Sequence, residues 1–240
     1  MNKRILISLE GNIGAGKSTL LEHLEKHFAS NEEYVFLREP VHLWEHIRDK
    51  DGNTMLSKFY SDPVKYAFSF QIMAYTTRLH ELKRIVRENP KCKVIICERS
   101  LEADKHIFAK MLHDDGLIES VNYQIYESYF AEYEDQFRID GLVYVKADPE
   151  TCLERVQKRN RKGETIELDY LKKCHDYHES WFGNTPIQHK TLDVNANLCF
   201  DKLDETSLMH VWVNEVKTFV ESLKQKNVFS NFGKEVNVYS

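Results

Sequence analysis

The chain is poor in the residues that break a polypeptide into pieces. Nine glycines and five prolines are spread over 240 residues without any Gly-, Ser- or Pro-rich stretch. No linker is therefore expected, and residues 1–240 should form a single domain. No repeat at solenoid or propeller spacing occurs. Long apolar runs are also lacking: none approaches the roughly 20 residues of a membrane-spanning helix, so no membrane partner is expected. Nor is positive charge in excess. Lys and Arg total 33 against 38 Asp and Glu, a net charge of −5, which argues against a nucleic-acid coat or a protein held on anionic lipid. Any anionic ligand must instead meet a local cluster of cations. The five cysteines (Cys92, Cys97, Cys152, Cys174, Cys199) include no CxxC pair, and their odd number leaves one over in any disulfide scheme. A reducing, cytoplasmic setting is the expectation.

What the chain does have begins behind the apolar run Ile5-Leu6-Ile7-Ser8-Leu9. The segment Gly11-Asn12-Ile13-Gly14-Ala15-Gly16-Lys17-Ser18-Thr19 fits the G-x-x-x-x-G-K-[ST] pattern of a phosphate-binding loop between a strand and a helix. Glycines let the backbone curl so that several N–H groups point into one concavity, which binds anionic phosphate. Lys17 adds a mobile cation for the β/γ-phosphates, and Ser18 a hydroxyl oxygen for Mg²⁺. The helix that follows contributes its positive N-terminal end. ATP or another nucleoside triphosphate is the expected ligand. A loop this close to Met1 leaves no room for a cleavable targeting segment.

Short runs rich in β-branched residues alternate with long helical patterns, which predicts an α/β fold with a five-stranded parallel sheet flanked by helices. Strands are expected near Arg4–Leu9, Tyr34–Arg38, Lys93–Cys97, Leu142–Lys146 and Thr191–Val194. The polar segment Val41–Met55 should hold a short helix. Asp62 and Pro63 read as the N-cap and first residue of a long helix to about Glu88. Further helices are expected over Leu101–His113, Ile118–Gln136, Pro149–Lys158, Leu168–Phe182 and Glu205–Lys224. The tail at about 226–240 shows no clear period and is expected to be irregular.

Ligands bind at the carboxyl ends of strands in such sheets. Two acids stand at predicted strand ends, Glu39 and Glu98, and a carboxylate beside a phosphate loop is what holds Mg²⁺ on a nucleotide. Arg99 is a cation poised for the same anion. Arg155 and Arg159 lie one helical turn apart, with Arg161 just beyond, and the three guanidiniums could clamp a transferring phosphoryl group as a lid over about 155–167.

These landmarks, taken with Glu39-Pro40-Val41 and Trp44, Tyr60 before Asp62-Pro63, Phe70-Gln71, Glu98-Arg99-Ser100, the lid with Glu164, Asp169-Tyr170-Leu171 and His178-Glu179-Ser180-Trp181, resemble the deoxyribonucleoside kinase family over roughly Ile5 to Val220. The resemblance implies a P-loop kinase fold with an Arg-rich lid. It implies transfer of the γ-phosphoryl group of Mg²⁺–ATP, or of another triphosphate, to the 5′-hydroxyl of a deoxynucleoside. Glu39 would take the proton from that hydroxyl, Arg99 would hold it, and Lys17 would bind the phosphates, with Ser18 and Glu98 on the Mg²⁺ side. Arg155, Arg159 and Arg161 would close over the donor. Tyr60 and Glu164 would read the 3′-hydroxyl, with Glu167 close enough to serve instead. Phe108 would stack on the base, Trp44 line its pocket, and Gln71 bond its edge. The loop Asn195–Phe200 would lie beside the donor base. A homodimer packed through the long helices is implied as well.

Ala74, Arg78 and Asp104 match the branch of the family that acts on deoxycytidine and deoxyguanosine rather than its thymidine-accepting insect member. An ionised Asp104, kept so by Arg78, suits a base with an exocyclic amine. Phe59 stands where that branch usually has Met, and Asn160 where the lid usually has Gly. The competing assignment is a nucleoside monophosphate kinase of the thymidylate kinase kind, which shares the loop and lid. Its acceptor already carries a phosphate, which Glu39 would repel. A GTP-driven switch would need an Asn-Lys-x-Asp element, and none is present.

Overall fold

The computed structural model describes residues 4–133, 135–161, 163–193 and 208–236. Five strands form one parallel sheet: β1 (Ile5–Glu10), β2 (Tyr34–Leu37), β3 (Val94–Glu98), β4 (Gly141–Lys146) and β5 (His189–Asp193), in the order β2-β3-β1-β4-β5. The central strand β1 is buried along its whole length, as a parallel strand covered on both faces must be.

Strand alternation sorts its side chains between two cores. Ile5, Ile7 and Leu9 pack with Leu20, Leu21 and Leu24 of α1 (Lys17–His27) and with Trp212, Val213 and Val216 of α10 (Leu208–Val236). Leu6 faces the other way, into a core with Tyr75, Leu79 and Leu82 of α4 (Pro63–Glu88), Tyr126 and Phe130 of α7 (Ser120–Tyr133), and Trp181 and Phe182 of α9 (Leu168–Asn184). A third cluster lies beyond the sheet's carboxyl edge. It unites Trp44 of α2 (Val41–Trp44), Leu56 and Phe59 of α3 (Met55–Ser61), and Phe70 and Ala74 of α4.

The long helix starts as expected, with the Asp62 carboxylate accepting from the Lys65 N–H and Pro63 in the first turn. Three elements differ from expectation. Helix α3 was not foreseen; Thr54 caps it by accepting from the Ser57 N–H at 3.2 Å, and its seven residues are too few for a periodicity to stand out. The helix expected over Leu101–His113 is composite: α5 (Leu101–Ala103), a π-helical segment Asp104–Ala109, and α6 (Lys110–Asp114). The tail expected to be irregular is helical as far as Val236, as part of α10. Extending an existing helix costs far less than nucleating one, and no proline interrupts it. The α8 helix (Pro149–Arg159) ends at Asn160, in the left-handed conformation at φ 47°. Asn tolerates that region better than most residues, so it can end the helix where Gly usually stands. The loop Asn195–Phe200 and the expected helix start at Glu205 lie outside the described residues.

Candidate active site

The phosphate loop connects β1 to α1 at the sheet's carboxyl edge. Gly14 takes φ 84°, and a Cβ there would press on the Cys152 backbone; only glycine fits both limits. The Lys17 ammonium donates to the carbonyls of Gly11 (3.0 Å) and Asn12 (2.8 Å). Burial, reinforced by Arg99, lowers its pKa to about 8, against the opposing pull of Glu98, Glu39 and Glu10. Ser18 donates its hydroxyl to Glu98 Oε1 at 2.7 Å. That contact spans 80 residues of sequence and exists because β3 pairs with β1, with Leu9 opposite Glu98. Asn12 and Ala15 are buried structural members of the loop. The Asn12 amide donates to the Leu171 carbonyl at 2.8 Å and its oxygen accepts from the Ile13 N–H, which ties the loop to α9.

Arg99 follows Glu98 in the left-handed region, φ 64°, a strained state for a side chain of this size and one that clusters at functional sites. The Arg99 N–H donates to the Leu9 carbonyl at 3.0 Å. Its guanidinium lies over the Phe108 ring at 4.5 Å, a cation–π contact, and its Nε is 3.3 Å from Glu39 Oε1. Glu39 leaves the end of β2 and is 21 % exposed, between Arg99 and Arg78. Burial pushes its carboxyl up, yet Arg99, Arg78, Lys17 and Arg161 together outweigh burial and hold it below the ordinary carboxylate value.

Helix α4 presents Gln71, Ala74 and Arg78 on one buried face, three and seven residues apart as helical geometry requires. Arg78, 1 % exposed, donates through Nε to Asp104 Oδ2 (2.9 Å), through Nη1 to the Glu98 carbonyl (2.9 Å) and through Nη2 to Glu39 Oε1 (3.4 Å). Asp104 stands on the π-helical segment, one turn before Phe108. Burial pushes the Asp104 carboxyl up, and the bonded Arg78 pulls it back. The Gln71 Oε1 is buried without a hydrogen-bond partner among the described residues. Trp44 donates Nε1 to Thr77 Oγ1 at 2.9 Å and meets Phe70 edge-on, while Phe59 stacks on Phe70 at 4.6 Å.

The lid arginines reach the same place from α8 (Arg155, Arg159) and the segment just after it (Arg161). Arg155 donates to the Ala15 carbonyl at 3.1 Å, Arg159 to Glu164 Oε2 at 2.6 Å, and Arg161 lies 3.7 Å from Glu164 Oε1. The Glu164 side chain is 4 % exposed and lines the cavity with Tyr60. Glu167 instead takes the N-cap position of α9, without a capping bond from its side chain. Burial, then Glu164, raises the pKa of the Tyr60 hydroxyl well above its ordinary value.

Lys17, Ser18, Glu39, Tyr60, Glu98, Arg99, the α4 face, Asp104, Phe108, Glu164 and the three lid arginines line a single cavity of about 710 Å³; Gly11, Asn12, Ala15 and Glu167 are not part of its lining. Thr151, Glu154 and Lys158 also line it and were not singled out from sequence. Their signal was available, since Thr151, Arg155 and Lys158 share one face of α8 at spacings of four and three. A phosphate loop, a cationic lid and a carboxylate facing two guanidiniums in one cleft define an enzyme of the P-loop kinase class. Part of the pocket carries more apolar surface than a second phosphate would require.

The model of the deoxynucleoside kinase family matches residues 7–221, and the chain belongs to that family. It is similar to a probable deoxycytidine kinase of fowlpox virus (strain NVSL), with 36% identity over 222 residues, covering 90% of this chain and 88% of that protein. It is 34% identical over 243 residues to deoxycytidine kinase of Homo sapiens, covering 92% of this chain and 88% of the relative. Mitochondrial deoxyguanosine kinase of Xenopus laevis is 34% identical over 208 residues, 79% of this chain and 75% of that protein. The chain is thus a deoxynucleoside kinase, which moves a phosphoryl group from a nucleoside triphosphate to a nucleoside in nucleotide salvage. The thymidylate kinase assignment is set aside. No helix among the described residues is long and apolar enough to cross a membrane.

Proposed function

We propose that this enzyme phosphorylates the 5′-hydroxyl of deoxycytidine or a deoxypurine nucleoside in preference to thymidine. The observation that carries this is the buried Arg78–Asp104 pair at 2.9 Å on the cavity wall, beside Ala74 and Gln71. An Asp104 carboxylate already engaged by Arg78 accepts a hydrogen bond from an exocyclic amine. Thymine presents an oxygen there, and two buried acceptors would face each other. The names of the relatives point the same way.

The site's own residues suit the transfer. Glu39, held ionised, accepts the proton of the 5′-hydroxyl. Arg99 binds that oxygen and the transferring phosphoryl group. Lys17, the loop N–H groups and the lid guanidiniums of Arg155, Arg159 and Arg161 stabilise the charge on the phosphates. Tyr60 and Glu164 bond the 3′-hydroxyl, Phe108 and Trp44 enclose the base, and Gln71 reads its edge. The Ser18 hydroxyl and Glu98 carboxylate, 2.7 Å apart beside Lys17, are hard oxygen ligands of the kind Mg²⁺ takes. Among the described residues no cluster of three His, Cys, Asp or Glu could hold a metal alone, which fits an ion carried largely by the nucleotide. Bound Mg²⁺ supplies neutralisation of charge on the β- and γ-phosphates.

Steady-state rates with the four deoxynucleosides and Mg²⁺–ATP test the base preference. Deoxycytidine or a deoxypurine should exceed thymidine in kcat/KM, and the A74V/R78M/D104A variant should gain thymidine turnover. A thymidine preference in the wild type, or a folded and active triple variant with no gain, overturns this account of the pocket.

We also propose a homodimer. Helix α7 exposes Val121 (60 %), Ile125 (43 %) and Tyr129 (55 %) at spacings of four, and α4 exposes Val64 (74 %); a stripe of this kind is a docking face. Sedimentation equilibrium should give twice the mass of one chain, with I125D shifting it to a monomer. A monomeric wild type refutes the dimer. The free, buried thiols of Cys92, Cys97, Cys152 and Cys174 support a cytoplasmic, reducing location.

A further inference from the structure

Glu10 is a buried acid with no part in the transfer scheme above. It ends β1 and is 0 % exposed. Its Oε1 accepts from Ser8 Oγ (2.5 Å) and Ser100 Oγ (2.6 Å). Its Oε2 is buried without a hydrogen-bond partner among the described residues, and so is Nη1 of Arg99. Burial pushes the Glu10 carboxyl up, and Arg99 is the charged group that opposes this most. A desolvated carboxylate is tolerated only where a cation compensates it.

Ser100 makes the mechanical link. Its hydroxyl donates to Glu10 and also accepts from the Ala103 N–H at 3.0 Å, capping α5. With both bonds made, the Ser100 rotamer and the helix start are set, and the residue between them and Glu98 is Arg99 in its left-handed state. Of the neighbouring carboxylates, Asp104 bonds Arg78, Glu39 meets both Arg78 and Arg99, and Glu98 bonds Ser18. Glu10 reaches the Arg99 turn through Ser100, while Glu39 meets the Arg99 guanidinium directly at 3.3 Å.

We infer that Glu10 is a positioning residue for Arg99: its carboxylate, bonded to Ser100, holds the Glu98-Arg99-Ser100 turn and aims the Arg99 guanidinium at the transferring group. The inference rests on the role proposed above for Arg99. Glu10→Gln keeps the shape and replaces the carboxyl with an amide. It should lower kcat by about 10- to 100-fold, the effect of a small misplacement of a reacting group. KM for donor and acceptor should change by less than about 3-fold, since binding in the ground state is untouched. The deciding measurement is a double-mutant cycle with Arg99→Ala. If Glu10 acts through Arg99, adding E10Q to R99A should cost less than about 2-fold further in kcat. A full multiplicative loss in that background assigns Glu10 a general structural role and overturns the inference. If R99A itself keeps wild-type kcat, the role of Arg99 fails and the inference falls with it. Should E10Q not fold, Ser100→Ala leaves the carboxyl in place and removes the link. It should lower kcat several-fold on its own but not on top of R99A, and wild-type kcat in S100A overturns the proposal.

Discussion

Glu39→Gln should lower kcat by about 10²- to 10⁴-fold, the range of a lost general base, while leaving nucleoside affinity nearly intact. The amide keeps the volume and an oxygen acceptor for Arg99 at 3.3 Å and Arg78 at 3.4 Å, so the pocket retains its shape and only the proton acceptor goes. Glu39 suits the part because cations on three sides hold its carboxyl below the ordinary value despite burial. The pH profile checks this independently. In the wild type, kcat/KM for the nucleoside should stay level from about pH 7 down to about pH 5, because the acid limb lies no higher than the ordinary glutamate value of about 4.3. The sign for folding is the same: the lowered pKa contributes stability above the unfolded value, and that contribution is lost as pH falls through the folded one. Near-wild-type turnover in E39Q, or an acid limb at pH 6 or above, removes Glu39 from the role of base.

Arg78→Met should be the most destabilising single change at the site, costing about 3–5 kcal/mol, because it leaves buried carboxylate without its partner. Arg78 bonds Asp104 (4 % exposed) and Glu39, and also satisfies the Glu98 carbonyl. The methionine fills most of the volume but answers none of these acceptors. Adding D104A should restore at least half the loss, since both members of the main pair are then gone and an apolar contact replaces them. Urea unfolding at pH 7 measures both variants. A loss under about 1 kcal/mol in R78M, or a further drop on adding D104A, contradicts a coupled buried pair.

Much of the site could be read directly from the chain because it is local. Residues 11–19 carry their chemistry in consecutive positions, and the strand before and helix after follow from apolar patterning. The Asp62-Pro63 start of α4 is equally local, as is the spacing of Gln71, Ala74 and Arg78 on one helical face. The acids at strand ends were visible for the same reason. Elements too short or too irregular for a period to show were not: the short α3 and the π-helical turn at Asp104–Ala109.

By itself, then, the sequence determined the parallel α/β class, the phosphate loop and the set of residue types at the site. Periodicity records which side of an element is apolar, and short motifs record local backbone demands. Neither records which strand lies beside which. Only the tertiary structure set the order β2-β3-β1-β4-β5, which brings Glu98 to Ser18 and Arg78 to Glu39 across 80 and 39 residues. It also placed Arg99 in a left-handed conformation and buried Glu10 against Ser100. Burial and charge compensation arise from all neighbours at once, so a lone glutamate at the end of a strand shows its part only when they are in place.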